Sequence, residues 1–306
     1  MIVGVDLGGT KIEAVVVTFA EKGAPEPVRV HARERVATEA REGYEAVVGR
    51  VVSLVRATVR QAGLSSLPAV GIGLPGGVSR RTGLVKGSNT ACLNGRPFRE
   101  DLSRALGGPV RFENDANCLV LAETTLGAAR AYRDGIVFGV ILGTGVGGGL
   151  VVRGRLHAGL HGIAGEWGHH TLREGGRACY CGRGGCVETY LAGPSLARSY
   201  REATAEDASP QEIVARAEAG ETAAGEVLSA YLEDFGRAVG NVVNILDPDA
   251  IVIGGGLCHL RALYDRGLSA VARHVFNDEL LTPLLAAELG DAAGVFGAAL
   301  LTVADG

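Results

Sequence analysis

Long apolar runs are missing from this chain of 306 residues. The longest weakly polar stretch, Val137 to Val152, is shorter than the ~20 residues of a membrane-spanning helix and is interrupted by glycines, so no membrane partner is expected. The start, Met-Ile-Val-Gly-Val-Asp, has no basic segment and sets an acid inside its apolar run. That excludes a secretory signal and points to a cytoplasmic location. Without export, the six cysteines are not expected to form a disulfide framework. Cys179, Cys181 and Cys186 also stand too close together for one. Neither sign of charge dominates: 30 Lys and Arg against 34 Asp and Glu leave a formal net charge of −4. This argues against a nucleic-acid surface while leaving room for a local nucleotide site. Lysine is limited to Lys11, Lys22 and Lys86, none with the neighbours of a Walker A phosphate loop. Proline is sparse, 10 residues against 47 glycines, and no three-residue period suggests collagen.

What is abundant is glycine, and its positions carry the reading. A length of 306 residues suits about two domains at ~100–200 residues each. Two β-branched runs, Ile2 to Val5 and Ile12 to Val17, flank Gly8-Gly9 and read as a β-hairpin. Val47, Val51, Leu54, Val55 and Val59 recur at helical spacing and predict a helix over Gly43 to Ala62. Val70 to Leu74 is a short strand stopped by Pro75-Gly76-Gly77. Val110 to Glu113 is another, ending at Asn114-Asp115 before a helix. The pattern then restarts: strand Ile136 to Leu142, turn Gly143-Thr144-Gly145, returning strand Gly149 to Val152. A weak internal duplication follows from that repeat. Helices are predicted over Pro194 to Ala203 and over Pro210 to Ala219, the second opened by Ser209 as cap, Pro210 and Glu212. A long helix buries Leu228, Tyr231, Leu232, Phe235, Val239, Val242, Val243 and Leu246 and ends at Asp247-Pro248. Ile251 to Ile253 then runs as a strand into Gly254-Gly255-Gly256, and Ala292 to Leu301 closes the chain as a helix. The division expected is a small N-terminal α/β domain, 1–116, and a larger C-terminal one, 117–290, with segment 291–306 packing back on the first.

Three glycine turns thus follow apolar strands: Asp6-Leu7-Gly8-Gly9-Thr10-Lys11, Gly143-Thr144-Gly145 and Gly254-Gly255-Gly256. Backbone N–H groups in such turns form anion-binding concavities, because no Cβ blocks a phosphate. Any one of them is more often an ordinary tight turn. Gly143, Gly145 and Gly148 also fit the G-x-G-x-x-G dinucleotide pattern, but a strand follows where that fingerprint requires a helix. The repeated hairpin resembles the duplicated actin, Hsp70 and hexokinase-type ATPase fold, an α/β, ribonuclease H-like architecture with a central interdomain cleft. That resemblance implies that the two hairpins grip the phosphates of ATP. Asp6 would orient a magnesium ion, and Gly254 to Gly256 would lie on the adenosine side.

His169, Cys179, Cys181 and Cys186 offer one imidazole and three thiolates within a glycine-rich stretch, the donor set of a closed structural zinc site. His170 is a rival ligand by proximity, and free buried cysteines are the plain alternative. The strings Gly165-Glu166-Trp167-Gly168-His169 and Cys179-Tyr180-Cys181-Gly182-Arg183-Gly184-Gly185-Cys186-Val187-Glu188 resemble the ROK (repressor, ORF, kinase) family. The resemblance extends from Asp6 through Asn114-Asp115 to Gly254–Gly256. It implies an ATP-dependent hexose kinase with Asp115 as catalytic base. Gly76, Asn89, Asn114, Glu166, His169 and Glu188 are the implied sugar contacts, and a homodimer is the implied assembly. Asn114 or Asp115 could instead cap the following helix, and both roles are compatible. Glu166 and Glu188 could be solvated loop charges. Val85-Lys86-Gly87-Ser88-Asn89 and Leu93-Asn94-Gly95 look most like the fructokinase and mannokinase branch, so a fructokinase forming a sugar 6-phosphate is the first reading. Cys92 departs from that branch, which commonly has tryptophan there. N-acetylglucosamine kinase or glucokinase is the near alternative. A sugar-responsive ROK transcriptional regulator is the alternative of a different class. It would need a DNA-binding domain ahead of the first hairpin, for which Asp6 leaves no room.

Overall fold

β-Branched residues dominate the first two strands, and they pair as anticipated. The computed structural model describes residues 1–20 and 27–303. β1 (Ile2–Leu7) and β2 (Lys11–Phe19) are antiparallel, with Asp6 opposite Glu13. β3 (Val28–Ala37), β4 (Val70–Leu74) and β7 (Val110–Asn114) complete a sheet of order β3-β2-β1-β4-β7; the short pair β5 (Gly77–Val78) and β6 (Val85–Lys86) lies outside it. A second sheet has the order β10-β9-β8-β11-β12, from β8 (Ile136–Leu142), β9 (Val146–Val152), β10 (Arg155–Leu156), β11 (Ala250–Gly254) and β12 (Leu284–Ala286). In both, a three-strand antiparallel run leads into parallel neighbours. The duplication suspected from two glycine hairpins therefore extends to whole sheets.

The chain falls into two units, one of Met1–Gly127, Ala158–Ile163 and the segment from Leu289, the other of Ala128–His157 and Ala164–Glu288. In the first, α1 (Tyr44–Gln61) buries Val47, Val51, Leu54, Val55 and Val59 in a core shared with Val3, Val5, Ile12 and Ile72. α2 (Phe98–Leu106) adds Phe98 and Leu102 to it. α3 (Asp115–Thr125) and α9 (Ala293–Leu300) pack together on the same sheet. Glycine permits that approach: a Cβ on Gly71 of β4 would stand 2.8 Å from the carbonyl carbon of Ala298, and one on Gly297 would stand 2.7 Å from Cys118 Cα. Both are far inside van der Waals contact, ~3.5–4.0 Å. Of the expected segment 291–306, residues 304–306 lie outside the described residues.

In the second unit, α4 (Glu188–Leu191), α5 (Gly193–Thr204), α6 (Pro210–Glu218), α7 (Thr222–Leu246) and α8 (Arg266–Ala272) surround a core of Val140, Leu142, Leu196, Phe235, Val239 and Ile253. α6 begins with the capping box its sequence announces: the Ser209 hydroxyl accepts from the Glu212 N–H, and the Glu212 carboxylate accepts from the Ser209 N–H at 2.7 Å. β9 starts three residues earlier than Gly149, because Val146, Gly147 and Gly148 pair with Leu142, Ile141 and Val140. Glycine carries no strand preference, and a tryptophan explains its use. A Cβ on Gly148 would stand 2.6 Å from Trp167 Cδ1, and the indole N–H donates to Gly147 O at 2.7 Å.

Candidate active site

In the first unit the β1–β2 turn closes through Gly8 N–H, which donates to Lys11 O at 2.9 Å. Thr38, fully buried just after β3, holds the turn from behind. Its hydroxyl donates to Gly8 O at 2.7 Å and its N–H to Thr10 O at 2.9 Å. No local pattern marks Thr38; the register that sets Ala37 opposite Lys11 delivers it there. Lys11 pairs with Asp291 at 2.9 Å. Glu13, 1% exposed, accepts from Arg33 and Arg35. Burial, then the neighbouring Asp115 and Glu13 carboxylates, push the Asp6 carboxyl up to about 6. A carboxylate so crowded by negative charge suits a divalent cation, which would favour its ionised form.

β7 delivers Asn114 and Asp115 to the start of α3. Asn114 is the helix cap: its Oδ1 accepts from Ala116 N–H at 2.8 Å. Its Nδ2 donates to Gly76 O at 2.7 Å, so one side chain ties the Pro75–Gly77 loop to the helix. A carboxamide so used still has one N–H and one lone pair for a ligand. Asp115, the first residue of α3, is exposed, and its Oδ1 also accepts from Ala116 N–H, at 2.9 Å. Asn89 sits in a loop clipped by Asn94, which accepts from Ser88 N–H at 2.9 Å and donates to Ser88 O at 2.8 Å. The Asn89 Oδ1 faces Gly9, 3.7 Å from where a Cβ there would stand. This unit thus gathers Asp6, Gly9, Gly76, Asn89, Asn114 and Asp115 around its hairpin and the start of α3.

In the second unit Gly143 N–H donates to Gly145 O at 3.0 Å, Gly193 N–H to Gly143 O at 2.8 Å, and Leu257 N–H to Leu142 O at 3.0 Å. These bonds bring the β8–β9 turn, the loop after β11 and the start of α5 together. Gly255 has φ +84°, and a Cβ on it would stand 2.7 Å from the Leu142 carbonyl carbon, so no other residue fits. A cavity of about 510 Å³ opens beside Thr144 and Gly256, walled by Pro194, Pro210 and Gln211. Its size is that of small-molecule sites, ~300–1,000 Å³. The two proline helix starts and Gln211 carry no sequence signature of a cavity wall. Only the convergence of α5 and α6 on the loops reveals them.

Glu188, at the start of α4, accepts from Val146 N–H at 3.0 Å, which engages one carboxylate oxygen with the hairpin. Glu166 is exposed and opens the turn Trp167–His169, its carbonyl accepting from His169 N–H at 3.2 Å. The ligand atoms of His169, Cys179, Cys181 and Cys186 all lie within 4.8 Å of one another. Cys181 Sγ and Cys186 Sγ are 3.6 Å apart, and Cys179 Sγ is 3.7 Å from His169 Nδ1. A tetrahedral zinc ion with ~2.0–2.3 Å bonds spaces its ligands roughly 3.5–3.8 Å apart, the spacing of both of these pairs, and the donor set of one imidazole and three thiols suits that ion. The Arg183 N–H directed at its sulfur lowers the Cys181 thiol to about 6, whereas burial pushes Cys186 up to about 12. His170 is not a member of the cluster: its Nδ1 pairs with Trp167 O at 2.8 Å. His169 Nε2 lies 3.1 Å from the Tyr180 hydroxyl, so both ring nitrogens have a defined neighbour. The loop is anchored independently by Arg173, whose guanidinium meets both oxygens of buried Asp234 at 2.8 Å, and by Tyr190, which Arg173 and Arg177 approach at 4.9 and 5.1 Å from its ring centre.

Among the described residues no helix is long and apolar enough to cross a membrane. A model of the ROK family matches residues 2–305. The N-acetyl-D-glucosamine kinase of Mannheimia succiniciproducens is 36% identical over 312 residues, covering 98% of this chain and 99% of that protein. A ROK hexokinase from Thermus thermophilus superposes with a TM-score of 0.87 at 35% identity, covering 100% of this chain and 99% of that one. A ROK-family glucokinase from Streptomyces griseus, crystallised with glucose and AMPPNP, gives 0.77 at 29% identity, with 98% of each chain covered.

Proposed function

The chain belongs to the ROK family, and on that premise we propose that it transfers the γ-phosphate of ATP to a hydroxyl of N-acetylglucosamine. That it is a sugar kinase, a phosphotransferase, follows from relatives that match it end to end. The choice of sugar is carried by one observation: relatives 36% identical across nearly the full length of both chains are N-acetyl-D-glucosamine kinases. A fructokinase-like activity is the second reading. It rests on Val85–Asn89 and Leu93–Gly95, and the Asn94 clip gives part of those strings a structural task that any hexose would tolerate. A cytoplasmic location and a homodimer accompany the proposal as implications of the family.

Phosphoryl transfer needs a deprotonated nucleophile held in line and stabilised charge on the phosphate. In this reading Asp115 accepts the sugar hydroxyl proton as its oxygen attacks the γ-phosphorus. Asn114, Asn89, Gly76, Glu166 and Glu188 hold the sugar, and His169 joins them through Nε2, exchanging its contact with the Tyr180 hydroxyl for a sugar hydroxyl while Nδ1 faces the thiolates. Gly8, Gly9, Thr10 and Lys11 present one phosphate-binding turn and Gly143, Thr144 and Gly145 the other, with Gly254–Gly256 beside the base. Asp6 is the residue that would hold magnesium, which when bound neutralises charge developing on the phosphates. His169, Cys179, Cys181 and Cys186 would hold zinc, which with four protein ligands would serve to fix the loop rather than to take part in transfer. Asp115→Asn tests the assignment: transfer falls at least 10²-fold, while equilibrium sugar binding stays within a few-fold. A variant turning over near the wild-type rate eliminates Asp115 as the base.

A further inference from the structure

The reading that puts Gly254–Gly256 beside the base makes the adjoining cavity its seat and leaves open which bases are accepted. The cavity of about 510 Å³ beside Gly143, Thr144 and Gly256 carries no charged side chain on its walls. Pro194 and Pro210 supply apolar surface and have no N–H to offer. Three backbone donors at the cavity are engaged inside the fold, Gly143 N–H on Gly145 O, Gly193 N–H on Gly143 O and Leu257 N–H on Leu142 O, and the lining residues with polar side chains are Thr144 and Gln211. The neighbouring Ser209 and Glu212 are engaged with each other in the capping box. Gln211, the second residue of α6, is exposed, lines the cavity and is its one residue with a side-chain carboxamide.

A carboxamide has a donor end and an acceptor end, and a half-turn of its last torsion exchanges them. One orientation matches adenine, accepting from the exocyclic amine and donating to N1. The other matches guanine, donating to O6 and accepting from N1–H. Discrimination is strong only where a site strands a buried group on the wrong ligand, and a rotatable, exposed amide strands nothing. We propose that Gln211 is the base-reading residue of this chain, and that because its amide can turn, ATP and GTP serve as phosphate donors with similar efficiency. This rests on the sugar-kinase reading for its turnover readout but not for its binding readout.

The test compares kcat/KM for ATP and GTP at saturating sugar in the full chain, alongside equilibrium binding of ADP and GDP. The two donors should differ by less than about tenfold, and ADP and GDP should bind with similarly close affinity. Gln211→Glu replaces the amide by an acceptor-only group that pairs with guanine N1–H and N2–H and repels adenine N1. It should move the GTP:ATP ratio at least tenfold toward GTP. Gln211→Leu should weaken both donors alike. A wild-type preference for ATP above 100-fold, or a donor ratio unmoved by Gln211→Glu, overturns the proposal. A protein that phosphorylates no sugar with any donor refutes the kinase reading instead. In that case the ratio of ADP to GDP affinities, and its shift in Gln211→Glu, still decides the role of Gln211.

Discussion

Two glycine-to-alanine substitutions, both inside helices, should have opposite effects. At Gly297 in α9 the added methyl would stand 2.7 Å from Cys118 Cα and nearer still to that residue's carbonyl. Those are backbone atoms of α3, so no side-chain rotation relieves the clash and the helices must separate by about 1 Å. Overpacking typically costs about 1–3 kcal/mol, and a backbone-against-backbone clash belongs at the upper end. Alanine recovers about 1 kcal/mol of helix propensity, leaving a net loss of about 2 kcal/mol. For units of this size that is a fall of roughly 4–8 °C in Tm. At Gly225 in α7 nothing lies within 4 Å of the added methyl. Only the propensity gain of about 1 kcal/mol remains there, and Tm should rise by roughly 2–4 °C. Calorimetry on both variants reads the difference directly. Gly297→Ala should also lower activity, because Gly294 of the same helix lies against the Asp6 carboxylate, 2.7 Å from its Oδ2 by the same Cβ measure. A Gly297→Ala protein as stable as the wild type, or less harmed than Gly225→Ala, would refute the close-packing argument.

Asp6 gives a pH signature. Its carboxyl is raised from 3.8 to about 6, so the folded state holds the proton more tightly than the unfolded chain, and stability falls as pH rises between those values. At ~1.4 kcal/mol per pH unit the loss is at most about 3 kcal/mol. In magnesium-free buffer Asp6→Asn should therefore melt higher than wild type above pH 6 and converge with it near pH 4; parallel Tm–pH curves would contradict this. Zinc removal gives a third expectation. One zinc per chain should be found by elemental analysis, and stripping it with a strong chelator should lower Tm and loosen sugar binding. Melting unchanged by chelation would count against the site.

The elements legible in the sequence were those with a local signature. Val70–Leu74 and Ile136–Leu142 occupy the residues their apolar runs delimit, and α6 starts where Ser209, Pro210 and Glu212 place it. The Cys and His donor set was also readable, because its members are close in sequence and chemically distinctive. What escaped depends on partners far along the chain. β3 contains the charged run Arg33-Glu34-Arg35, and its two arginines find their partner in Glu13 of β2. α2 and α8 are short helices whose apolar residues become a face only when packed. Thr38, Asp234 and Gln211 carry no motif; the register of β2 with β3, the approach of Arg173 to α7 and the convergence of α5 and α6 set the surroundings of each. The preference for fructose came from strings around Asn89 and Asn94, one member of which holds the loop together through Ser88.

Whether this chain phosphorylates N-acetylglucosamine is decided by a product assay. The purified chain is incubated with ATP and, separately, N-acetylglucosamine, glucose, mannose and fructose, and the sugar phosphate formed is quantified by mass spectrometry. Phosphorylation is expected with the highest kcat/KM on N-acetylglucosamine, falling at least 10²-fold in Asp115→Asn. Preference for fructose would overturn the sugar assignment while keeping the kinase, and absence of any sugar phosphate would contradict the claim itself.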